Sequence, residues 1–128
     1  MTAIVEGLQA VTLHVTDIPR ARAFYANVLG LEEVTPVPHV PRAVFKIPGT
    51  STRLLIHVQG GTEGGREPGT VSGLLFHCPD PLAACVQIQR HGGTIVDEPW
   101  TMKRGESKVV RAVIADPDGN EMILSSEL

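Results

Sequence analysis

Apolar residues in this chain come in short runs, most of them closed by a glycine, a proline or an aspartate. Two of the runs, Val11–Val15 and Leu74–Cys78, lead into an aspartate with a proline one or two residues beyond it: Asp17 with Pro19, and Asp80 with Pro81. Each marks a strand running into a helix. The aspartate carboxylate accepts from free N–H groups of the first helical turn, and proline is tolerated there because no donor is needed. Helices are expected over about residues 18–28 and 81–91, with Ile18, Ala21, Phe24, Tyr25 and Val28 in one and Leu82, Cys85, Val86 and Ile88 in the other at helical spacing. Gly30 and the Gly92–Gly93 pair end them, since a helix C-terminus often needs a left-handed residue. Three β-like runs follow each helix, at 32–37, 42–47 and 53–58 and then at 94–98, 107–115 and 120–125. Pro48-Gly49 and Asp118-Gly119 break the last two runs of each set.

The two sets are copies of one pattern. Laying the chain over itself with His14 on His77 also brings Asp17 onto Asp80, Ala21 onto Ala84 and Gly30 onto Gly93. The expected fold class is α+β, with two βαβββ modules over about 1–60 and 70–128 in a single domain, joined by a glycine-rich linker at 60–69. A sheet with one helix on one face leaves its other face uncovered. Pairing the modules turns both bare faces toward a curved mixed sheet around a cup-shaped cavity, which predicts a pocket for a small organic molecule.

Composition narrows the function classes. The 128 residues are 42% hydrophobic but only 4% aromatic, so aliphatic side chains must fill the core. The formal charge is −3, and no Lys/Arg run offers a phosphate-tracking face, which argues against nucleic acid. No basic leader with an apolar stretch and no long apolar run is present, so neither a signal peptide nor a membrane span is expected. Cys78 and Cys85 lack a second CxxC or a His pair at zinc spacing and read as free thiols, which fits the cytoplasm.

Three stretches resemble the glyoxalase / bleomycin resistance protein / dioxygenase (vicinal oxygen chelate) superfamily: Thr12-Leu13-His14-Val15-Thr16-Asp17 through Phe24-Tyr25 to Leu29-Gly30, Gly73 to Asp80 with the helix ending at Gly92-Gly93, and Asp116-Pro117-Asp118-Gly119-Asn120. Enzymes of that superfamily hold one divalent metal with side chains from the first and last strand of each half. The resemblance places those ligands at Ala10, at Leu55 or Ile56, at Gly73 and at Ile123. None carries a donor atom, so no cofactor is expected at the usual place. A divalent metal at a displaced site stays open.

Side chains alternate along a strand, so Thr12 and His14 share a face with Ala10, and Leu75 and His77 share one with Gly73. Arg53, His57 and Gln59 follow Leu55, and Glu121 and Ser125 flank Ile123. Trp100 and Met102 are expected in a rim loop, where an aromatic ring closes over a planar ligand. The candidate ligand-binding residues are thus His14, Arg53, His57, His77, Trp100, Met102 and Glu121. Two functions compete. One is a binding protein for a small organic ligand without the usual metal centre. The other is a lyase, isomerase or dioxygenase using a displaced site of His14, His57, His77 and Glu121, or a histidine base without metal. No nucleophile elbow or phosphate-cradling loop is present. The resemblance further implies a homodimer, with exchange of halves permitted by the linker at 60–69.

Overall fold

The computed structural model describes residues 3–36, 40–58 and 68–127. The chain runs β1 (Ala10–Val15), α1 (Ile18–Arg22), β2 (Arg42–Lys46), β3 (Arg53–Val58), β4 (Val71–His77), α2 (Pro81–Arg90), β5 (Thr94–Arg104), β6 (Ser107–Ala115) and β7 (Glu121–Glu127). Helix α1 continues into a wider π-helical segment, Ala23–Val28. Asp17 and Asp80 cap their helices as the sequence predicts, accepting from the Arg20 and Ala83 amides at 3.0 and 3.1 Å. Gly30 and Gly92 follow the helices with φ of 75° and 87°, a conformation that a Cβ would strain.

The strands form two mixed sheets, ordered β1-β3-β2 and β4-β7-β6-β5. In each, the first and last strand of a module lie side by side and parallel, and the remaining pairs are antiparallel. The internal repeat of the sequence is therefore a repeat of topology. Two elements differ from expectation. The run at 32–37 is no strand over its described part: it touches the sheet through the Glu33–Phe45 bridge and the bonds from Val34 N to Val44 O and from Lys46 N to Glu32 O. Pro36 lacks the donor that an extended ladder requires. Val37, His39, Gln59 and the linker up to residue 67 lie outside the described residues.

The other difference concerns Trp100 and Met102, which belong to strand β5 and not to a loop. Pro99 would ordinarily end a strand. Here β5 is an edge strand whose register shifts between Ile95 and Asp97 and again between Asp97 and Trp100, and this irregularity accommodates a residue without an N–H. The two-residue loop Gly105-Glu106, with Gly105 at φ 63°, then closes a tight hairpin onto β6.

One face of each sheet is covered by helices. Leu13, Val15, Ala43, Phe45, Leu54 and Ile56 supply the first sheet's share of a core that continues through Phe24, Tyr25, Cys85 and Ile88 to Ala112, Ile114, Met122 and Leu124. Besides this shared core, two contacts among the described residues join the modules. At Gly93 the backbone of the second packs so close to Phe24 of the first that an added Cβ would lie 2.9 Å from its Cε2, as well as 2.5 Å from Cγ2 of Ile88 in its own module. The second meeting place is the Asp116–Asn120 turn. The Asp116 carboxylate accepts from the Tyr25 hydroxyl at 2.7 Å, from Asn120 Nδ2 at 2.9 Å, and from the amides of Asp118 and Asn120 at 2.9 Å each. Asn120 in turn donates to the His14 carbonyl at 2.9 Å and accepts from the amides of Gly69 and Thr70. Outside this cluster, Asp118 takes bonds from Thr16 and Arg20 at 2.7 and 2.8 Å.

Two outcomes test this description. Gly93→Ala forces Ile88 and Phe24 apart and should lower unfolding stability by about 1–3 kcal/mol in denaturant titration, with the slope unchanged. Burial, then the neighbouring Asp116 charge and its hydrogen bond, push the Tyr25 hydroxyl well above the ordinary tyrosine value of 10.0. Its stabilising contribution is complete below pH about 10 and is lost as pH rises from there toward the folded value. Because Tyr25 is the only tyrosine, tyrosinate absorbance should stay absent past pH ~10 while the protein is folded and appear together with loss of circular dichroism. Tyrosinate forming near pH 10 in the folded protein would show that the bond is not made.

Candidate functional site

The faces turned away from the helices carry the candidate chemistry. On the first sheet, cross-strand register arranges the open face in three rows: Ala10–Arg53–Lys46, Thr12–Leu55–Val44 and His14–His57–Arg42. His14 and His57 are 6% and 2% exposed, with ring centroids 6.2 Å apart. The Nε2 atom of His14 is buried and meets no hydrogen-bond partner among the described residues. An open cleft of about 1020 Å³ lies between this face and the segment entering β1, lined by Val5–Ala10, Thr12, Ser51 and Leu55.

On the second sheet the corresponding row is His77–Ser125–Arg111–Trp100. Ser125 is 7% exposed and its hydroxyl accepts from Arg111 Nε at 3.4 Å. Leu75, at 50%, on one edge strand, and Trp100, at 39%, and Met102, at 37%, on the opposite one are large apolar side chains left exposed on this otherwise mixed face. Rows beside it hold Leu75–Ile123–Val113 and Glu127–Val109–Met102. Glu121 pairs with Val71 and Ala115, at the far end of β7 from His77.

The structure thus divides the predicted site. His14 and His57 are neighbours, with Arg53 on the same face two rows away; His77, Trp100 and Met102 share the second sheet, and Glu121 stands apart from them. Sequence reasoning missed Arg42 and Arg111. The signal for both was their alternation with Ala43 and Ala112, which are fully covered by the helices.

The whole arrangement has known relatives. A family model described as the glyoxalase/bleomycin resistance protein/dioxygenase superfamily matches residues 7–124. The chain belongs to this superfamily. Similar solved structures include a member of the superfamily from Sphaerobacter thermophilus, at 27% identity and TM-score 0.78 over 96% of this chain and 98% of that one. TnmS3, an antibiotic-binding protein from a Streptomyces species, is 25% identical with TM-score 0.74 over 96% and 97% of the two chains. A virulence protein from Salmonella typhimurium is 25% identical with TM-score 0.69 over 96% and 98%. No curated protein matches the sequence.

The superfamily often places a divalent ion on these faces, and the residues present do not fit it. Ala10 and Leu55 lie on the open face of the first sheet, and Ile123 lies on that of the second beside Leu75; Gly73 sits at the irregularity of β4 with φ 74°. None offers a donor atom. Nor does a displaced set form among the described residues, where no three His, Cys, Asp or Glu side chains are grouped to hold an ion. Burial raises the thiols of Cys78 and Cys85, which disfavours the reactive thiolate.

A buried imidazole nitrogen without a partner costs about 1–3 kcal/mol of desolvation. His14→Leu should therefore leave the unfolding free energy unchanged or raise it. A loss of more than about 1 kcal/mol in denaturant titration would show that the native imidazole is satisfied.

Proposed function

We propose that this protein binds a small organic molecule without converting it, acting as one domain in the cytoplasm. The observation that carries the reading is the contrast on the open faces. The positions where the superfamily holds its metal carry Ala10, Leu55, Gly73 and Ile123, while the open faces carry His14, Arg53 and His57 on one sheet and His77, Trp100 and Met102 on the other. An open cleft beside the first sheet, with polar groups and an aromatic ring on the open faces, suits recognition of a drug-sized compound. The similarity to TnmS3, described as an antibiotic-binding protein, supports the same class.

The protein acts as a homodimer in this reading. Leu75, half exposed on the edge strand β4, is an apolar side chain that a single chain leaves in water, and a second copy covers it. The linker around 60–69 is glycine-rich enough to permit exchange of halves. No nucleic acid takes part, and no helix among the described residues is long and apolar enough to cross a membrane.

Trp100 is the only tryptophan, so its emission reports directly on the site. Titration with planar aromatic antibiotics should quench or shift it saturably, and Trp100→Ala should weaken binding measured by calorimetry about tenfold, as expected for loss of a stacking ring. Sedimentation should give twice the mass of the 13.7 kDa chain, and Leu75→Glu should halve it. Turnover of any of these compounds, or a panel with no binder, overturns the reading.

A further inference from the structure

The open face of the first sheet has a charge composition opposite to that of the protein. The chain carries a formal charge of −3. Yet the strand positions of this face, Ala10, Thr12, His14, Arg42, Val44, Lys46, Arg53, Leu55 and His57, include two arginines and a lysine and no carboxylate. Lys46 reaches Glu32 at 3.6 Å, but Arg42 and Arg53 meet no acidic partner among the described residues. Half-buried cations without counter-ions are costly to keep unless something else supplies the charge.

The arrangement along the strands is as informative as the composition. The basic rows, Lys46 with Arg53 and Arg42 with the two histidines, flank a middle row of Thr12, Leu55 and Val44 that is apolar apart from one hydroxyl. Residues two apart on a strand are separated by roughly 7 Å, so an acid held at the Arg42 row leaves the body of its ligand over the neighbouring row. At the Arg42 end, His14 is nine-tenths buried and its Nε2 meets no partner among the described residues. An imidazole nitrogen that carries its hydrogen is a hydrogen-bond donor, and the Arg42 guanidinium supplies a fork that matches an oxyanion. The cleft reaches the middle row through Thr12 and Leu55 and opens at the opposite, Ala10 end, where Glu6 is the only carboxylate among its described lining residues; Arg42 and His14 lie beyond that lining.

We propose that this face selects an acidic ligand, with Arg42 and His14 holding its carboxylate, sulfonate or phosphate and the Thr12–Leu55–Val44 row carrying its apolar body. The proposal rests on the small-molecule reading above and specifies its ligand class. Two fluorescent probes test it, because 1-anilinonaphthalene-8-sulfonate carries the acid and N-phenyl-1-naphthylamine has the same ring framework without it. The sulfonate should bind the folded protein at least about tenfold more tightly. That preference should shrink between about 0.05 and about 0.5 M salt. Arg42→Gln should weaken the sulfonate about tenfold and leave the neutral amine unchanged, with Arg42→Lys restoring part of the loss. Thermal melts establish that each variant is folded before it is compared. Equal affinity for the two probes, or equal loss of both in Arg42→Gln, overturns the acidic-ligand inference and leaves the small-molecule reading standing. Failure of both probes to bind, with Trp100 emission unmoved, overturns the two together.

Discussion

A single buried carboxylate governs how the halves of this protein are held. Asp116 is 2% exposed, and ionised it would be a costly group to bury without donors. Its two oxygens instead accept four hydrogen bonds, two from backbone amides of its own turn, one from Asn120 and one from Tyr25 on the helix of the other module. Asn120 passes the connection on to the β1 backbone and to the start of the second module. Chain segments far apart in sequence must therefore be in place at once for the cluster to be satisfied. Neither module can complete this cluster by itself, which makes their assembly cooperative.

The same constraint positions the candidate site. His14 gives its carbonyl to Asn120 while its side chain lies on the open face, so the residue is at once a joint of the fold and a member of the binding surface. With β1 anchored there, strand register carries the position to His57 and Arg42 without further specification. The chemistry of the face then depends on a handful of alternating positions, and the helix-covered positions between them are occupied by Leu13, Ala43, Phe45, Leu54 and Ile56. This separation explains how a superfamily fold persists here with donor-free residues at its metal positions. The core is packed by one set of side chains and the ligand surface is built by the other.

Much of the fold was legible because its signals are local. An aspartate before a proline starts a helix whatever surrounds it, and the repeat relating His14 to His77 exposed the two modules directly. The Asp116-Pro117-Asp118-Gly119-Asn120 turn was likewise readable as a turn, but its function as the joint between modules was not, since its partner Tyr25 is remote in sequence. The site was only partly readable, for three physical reasons. Arg42 and Arg111 read as ordinary solvated charges until pairing places them beside His57 and Ser125. His77 and Glu121 share a sheet yet stand at opposite ends of their strand pair, a separation set by register. Trp100 was assigned to a loop because proline normally breaks a strand, and only edge placement with shifted register lets β5 pass Pro99.

That irregular stretch of β5 has an evolutionary consequence. Since neighbouring residues on a strand point to opposite sides, removing or inserting one residue between Ile95 and Trp100 would turn the indole from the bare surface to the helix-covered one, carrying Met102 with it. The hairpin beyond, closed at Arg104–Ser107, lies at the end of β6 away from Ala115 and the Asp116 turn, so such a slip is directed away from the joint between the modules. A descendant of this chain is thus able to exchange the side chains it shows to a ligand through small changes in length at an edge strand, with every residue of the interior retained.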